Sequence, residues 1–106
     1  MVYKSFDELN RNYPDDREKM TESQEQSYVS DCFDTYENIG FTKGFVAIYD
    51  ENKNYDGRKF KVLGRVSTAN GEADLECLPM WHIQFDDGVK MDAYPEEICI
   101  AEQASW

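Results

Sequence analysis

The sequence has one histidine, His82, and three cysteines, Cys32, Cys77 and Cys99. These side chains can shuttle a proton near neutral pH, attack a carbonyl or bind a soft metal. Their spacing supports none of those roles. The cysteines lack the CxxC pairing of a zinc or redox site, and one histidine does not complete a ligand set. No serine or cysteine has an acid–base partner pattern, so no nucleophilic triad is expected. His82 is expected to face solvent beside Gln84, on the polar side of a strand. The cysteines sit among apolar residues and are expected as buried, reduced thiols, which fits a cytoplasmic protein.

Asp50-x-Asn52-x-Asn54 opens like a calcium loop, but its sixth position is Tyr55 instead of Gly and its twelfth is Lys61 instead of Glu. Glu96 and Glu97 are adjacent carboxylates, and nothing in the sequence singles out either as an acid with a raised pKa. There is no glycine-rich phosphate loop. The expectation is a non-enzymatic protein with no metal or cofactor.

Charge says more. Eleven basic and 22 acidic residues give a net charge of −11. Residues 1–43 carry −5 and residues 44–106 carry −6, so the acid is not confined to a tail. Such a balance disfavours direct nucleic-acid binding, which needs a basic footprint, and disfavours anionic membranes for the same reason. A basic protein partner is favoured. Arg58, Lys59, Lys61 and Arg65 cluster in one stretch, whereas Asp86 to Glu102 carries six acids and only Lys90. The N-terminus has no apolar signal core, and no run approaches the ~18 apolar residues of a membrane span.

The elements that must position these residues follow from periodicity. Ser5-Phe6-Asp7-Glu8 is a capping-box pattern for a short helix over about 5–13. Thr21-Glu22-Ser23-Gln24 is a second, for an amphipathic helix over about 22–37, with Tyr28, Val29, Cys32, Phe33 and Tyr36 in one apolar stripe. Asp31, Asp34 and Glu37 lie towards its C-terminal end, against the helix dipole, which hints at a used surface. Residues 1–40 thus read as a helical element.

Residues 41–102 read as a barrel followed by a tail at 103–106. Strands are expected at Phe45 to Tyr49 and Lys59 to Val66, with a bulge or tight bend at Gly64, and Leu75 to Pro79 is expected to be extended. The strongest signal is a hairpin. Trp81, Ile83 and Phe85 alternate with polar residues, as do Val89, Met91 and Ala93. A three-residue loop, Asp86-Asp87-Gly88, pairs Phe85 with Val89, Ile83 with Met91 and Trp81 with Ala93, and turns all six to one core. One helical turn at Pro95-Glu96-Glu97 precedes a closing strand, Ile98 to Ala101. The fold class is α+β: a five-stranded antiparallel barrel behind helices.

This order of parts resembles the SH3-like barrel of SH3, Tudor and KOW modules over about residues 44–101. Phe45-Val46-Ala47-Ile48-Tyr49-Asp50 is similar to the Ala-x-Tyr-Asp first strand of SH3 domains. Tyr94-Pro95-Glu96-Glu97-Ile98 resembles their single helical turn, and Trp81 to Gly88 resembles a Tudor hairpin. The resemblance departs at Glu51 and Ile98, where an SH3 peptide groove carries tyrosines, so a polyproline ladder is incomplete. It implies a protein-binding module with Tyr49, Tyr55 and Tyr94 beside the loops as contact residues. The alternative is an acidic DNA mimic of the anti-restriction or anti-CRISPR type, because size and charge are similar to those of small acidic proteins of phages and mobile elements. Its surface would be Asp31, Asp34, Glu37, Asp86, Asp87, Asp92, Glu96 and Glu97.

Overall fold

A computed structural model describes residues 1–103, apart from the side chain of Asn70. Most of the expected tail, Trp106 included, lies outside the described residues. The architecture is α+β: N-terminal helices followed by a three-stranded antiparallel sheet that is open.

Helix α1 spans Phe6–Arg11 and α2 spans Glu22–Ile39. Ser5 Oγ accepts the Glu8 N–H at 3.2 Å, but the Glu8 carboxylate takes the Lys4 N–H, one residue before the expected reciprocal partner. The helix stops at Arg11, short of residue 13, because the Asn12 side chain caps the Glu8 carbonyl at 2.9 Å. At α2 the box is complete: Thr21 Oγ1 accepts from Gln24 N–H, and Gln24 Oε1 accepts from Thr21 N–H. This helix runs two residues past Glu37, until Gly40 takes φ 115°, a conformation that side chains resist.

The sheet holds β1 (Phe60–Arg65), β2 (Trp81–Phe85) and β3 (Lys90–Ala93), in that order. The β1–β2 register shifts between Val62 and Gly64, the bulge that Gly64 predicts. The β2–β3 register pairs Trp81 with Ala93 and Ile83 with Met91, as parity requires. Phe85 N–H donates to the Val89 carbonyl at 2.9 Å, and Gly88 has φ 89°. Trp81, Ile83, Phe85 and Ala93 are buried, but Met91 is half-buried and Val89 is 42% exposed. Val89 lies outside β3, at the loop end.

Helices and sheet share one core. The Trp81 ring makes T-shaped contacts with Phe33, Tyr36 and Phe41, with centroids 5.1, 5.9 and 5.5 Å away. Its indole N–H donates to Glu37 Oε2 at 2.9 Å. Phe6 lies against Tyr36, and Leu9 is fully buried, which fixes α1 on the same core.

Two expected strands, and one segment expected to be extended, take other conformations. At Phe45 to Tyr49 consecutive residues bond to different neighbours: Phe45 N–H donates to the Arg58 carbonyl, whereas Val46 N–H donates to the Glu97 carbonyl, both at 2.9 Å. No ladder of two rungs forms, and a 3-10 helix over Asp50–Tyr55 follows. Leu75–Cys77 is a 3-10 turn, so the chain there presents Leu78 inward and leaves Cys77 exposed, against the expectation of three buried cysteines. After helix α3 (Pro95–Ile98), the expected closing strand is a single bridge, Cys99 to Phe41, and the chain then enters helix α4 (Ile100–Gln103).

Candidate functional site

Helix α2 presents Tyr28, Cys32 and Tyr36 at spacings of four, one face of the helix. The 3-10 turn brings Cys77, Leu78 and Pro79 opposite them, and the start of α3 adds Tyr94, Pro95 and Glu96. Between these three elements lies an open groove of about 400 Å³. Its walls are aromatic rings and two prolines; its rim carries Glu76 and Glu96, both exposed.

Arg17 ties the groove together. Its Nε meets Glu25 at 3.0 Å, its Nη2 donates to the Leu75 carbonyl at 2.7 Å, and its guanidinium stands 5.5 Å over the Tyr28 ring. Its charge is therefore used within the wall. Glu76 and Glu96 make no side-chain hydrogen bond or ion pair among the described residues, so they are free to meet a cation. Burial pushes the Tyr28 phenol up to about 12 and the Cys32 thiol up to about 11. Burial, then the hydrogen bond to Glu102, keeps Tyr36 protonated. The groove thus offers neutral rings and hydroxyls inside and carboxylates outside.

The expected tyrosines are not gathered. Tyr94 lines the groove, and burial raises its phenol pKa, with Cys77 and then Tyr49 close enough to add to that effect. Tyr49 is 46% exposed beside it. Tyr55 lies at the hairpin, stacked 4.2 Å from Phe85, with its hydroxyl donating to Asp87 at 3.0 Å and Arg58 over its ring.

The acidic residues are mostly occupied. Asp31 accepts from the N-terminal ammonium at 2.9 Å and from the Tyr13 hydroxyl at 2.5 Å. Asp34 meets the same ammonium and Arg65; Glu37 meets Arg65 and Trp81. Asp86 pairs with Arg58 at 2.6 Å, and Asp87 accepts from Val89 N–H and Tyr55. Asp92 meets His82 Nδ1 at 2.5 Å, and Glu72 meets its Nε2. His82 is therefore held between two carboxylates and is not simply solvent-facing. Partial burial opposes its charge, but the Asp92 hydrogen bond and both carboxylate charges outweigh that and raise its pKa. Glu96 stays exposed. Glu97, expected on the surface, is 2% exposed: its Oε1 accepts from Tyr94 N–H at 2.9 Å while its Oε2 is buried without a hydrogen-bond partner among the described residues. Burial raises its pKa.

Sequence reasoning assigned Tyr28 and Tyr36 to the core stripe and missed the groove. The one available signal was a stripe carrying two tyrosines, whose hydroxyls favour an interface over a dry core. Among the described residues, no three His, Cys, Asp or Glu side chains are placed to hold a metal, and no helix is long and apolar enough to cross a membrane. No family model matches the chain, nor does any curated protein or solved structure.

Proposed function

We propose that this chain is a non-catalytic protein-interaction module whose groove takes a basic segment of a partner protein, an apolar side chain beside an arginine or lysine. One observation carries the reading: a groove walled by Tyr28, Tyr36, Tyr94, Leu78, Pro79 and Pro95 has free carboxylates, Glu76 and Glu96, on its rim. Rigid aromatic walls give contact area at low entropic cost, and rim carboxylates select and steer a cationic partner. The net charge of −11 adds to that steering.

The same reading takes the fold as an SH3-like barrel whose first and last strands are irregular. Backbone bonds from Thr42 to Ile98, Val46 to Glu97 and Phe45 to Arg58 support it, because they link α3 through residues 42–46 to the segment just ahead of β1. In such barrels the loops and the single helical turn flank the ligand, where Tyr49 and Tyr94 stand here.

The DNA-mimic alternative has less support. A mimic needs an array of free carboxylates, whereas Asp31, Asp34, Glu37, Asp86, Asp87 and Asp92 each hold a partner within the chain.

The test captures partners on the immobilised protein and compares two folded variants: Tyr94→Ala with Glu96→Gln, and Asp86→Asn with Asp92→Asn. Loss of a captured partner in the first variant alone is the expected result. Loss in the second alone, with competition by duplex DNA, would replace this proposal with the mimic.

A further inference from the structure

The outer face of the sheet carries charge of the opposite sign. Lys61, Gln84 and Lys90 stand in register across β1, β2 and β3. Adjacent strands lie about 4.8 Å apart, so the two lysines are about 10 Å apart at the backbone. Lys59 and Lys61 wall a hollow of about 390 Å³ with Phe60 and Gln84. Lys90 walls a neighbouring hollow of about 490 Å³ with Leu63, Met91 and His82. Leu63 is 47% exposed there.

Lys59, Lys61 and Lys90 make no ion pair among the described residues, whereas Arg58 and Arg65 from the same stretch are each paired. In a chain of net charge −11, three lysines left unpaired across two neighbouring hollows, one of them lined by an exposed leucine, form a local site for an anion with an apolar part. Asp86 borders the first hollow and Asp92 the second. A continuous line of phosphates would run against these acids, and the overall field repels a long polyanion. A short segment sets fewer charges against these acids than a polyanion does.

We propose that this sheet face is a second docking surface, for a short acidic segment of a protein that places an apolar side chain on Leu63 and carboxylates on Lys61 and Lys90. It is separate from the groove and stands or falls independently of it.

The probe is a short fluorescein-labelled peptide of glutamates around one leucine, followed by fluorescence polarisation at low salt. Controls are the same peptide with glutamines and an oligothymidine of equal charge. The expected result is saturable binding of the glutamate peptide, weakened about tenfold or more by Lys61→Gln with Lys90→Gln, and weakened by Leu63→Ser, while Lys19→Gln has no effect. Thermal melts of each variant establish that the fold is intact. No binding of the glutamate peptide, equal binding in parent and lysine variant, or tighter binding of oligothymidine would overturn the proposal.

Discussion

Arg65 at the end of β1 grips Glu37 on α2 with both arms: Nη2 lies 2.7 Å from Oε1 and Nε lies 2.9 Å from Oε2. The guanidinium also stands 4.9 Å over the Phe33 ring and reaches Asp34. This fork fastens the helical layer to the sheet directly above Trp81, whose indole N–H shares Glu37. Lysine cannot reproduce a planar fork, so Arg65→Lys should cost about 1 kcal/mol. Glu37→Ala should cost more, about 1–3 kcal/mol, because it also strands a buried indole N–H. Urea denaturation of both variants checks this; a Glu37→Ala midpoint equal to the parent's would contradict it.

The same contacts set the acid limb of stability. The Arg65 hydrogen bonds hold Glu37 below its ordinary 4.5, and the N-terminal ammonium holds Asp34 below its ordinary 3.8. Depressed carboxylates bind fewer protons folded than unfolded, so their contribution is present above the ordinary values and is lost as pH falls through the folded ones.

Glu97 works in the opposite direction. Burial raises its pKa above the ordinary 4.5, so its contribution is present at low pH and is lost as pH rises from about there through the folded value. Glu97→Gln keeps the Oε1 cap on Tyr94 and removes the titration. Melting temperatures from pH 4 to 8 should decline less with rising pH in Glu97→Gln than in the parent; parallel curves would refute the assignment.

The hairpin makes a three-way prediction. Phe85→Ala should cost about 3–5 kcal/mol through the cavity it leaves. Gly88→Val should cost about 1–2 kcal/mol from backbone strain alone, since an added Cβ there meets no atom of the described residues within 4 Å beyond its chain neighbours. Val89→Ala should stay within about 0.5 kcal/mol, as an exposed side chain does. Thermal melts ordering these variants differently would contradict the packing.

Gly44 tests the contact of residues 44–46 with Gly57 and Arg58, ahead of β1. An added Cβ would meet the Gly57 carbonyl oxygen at 2.8 Å, a backbone atom that cannot swing away. Gly44→Ala should cost about 1–3 kcal/mol and speed hydrogen exchange at Phe45 and Gly57. Unchanged exchange at both amides would show that this contact does not hold the segment.

The hairpin and both helix starts were legible in the sequence because each rests on neighbours: strict alternation, a glycine at the third loop position, a Thr21–Gln24 box. Asp34 and Glu37 were misread as an open acidic face because their partners come from far along the chain, Arg65 from 28 residues beyond Glu37 and Trp81 from 44. Residues 45–49 have strand composition, but their bonds split between two neighbours. The groove was invisible for a similar reason. No local pattern announces that α2, the turn at Leu75–Cys77 and α3 approach one another, or that Pro95 will sit opposite Tyr36.

The most direct measurement is a titration of isotope-labelled protein with a peptide carrying arginine beside leucine and proline, followed by amide chemical shifts. The groove reading predicts shifts clustered at Tyr28, Cys77, Tyr94 and Glu96, and their disappearance in Tyr94→Ala. Shifts confined to Asp86 to Asp92, or none at millimolar peptide, would contradict it.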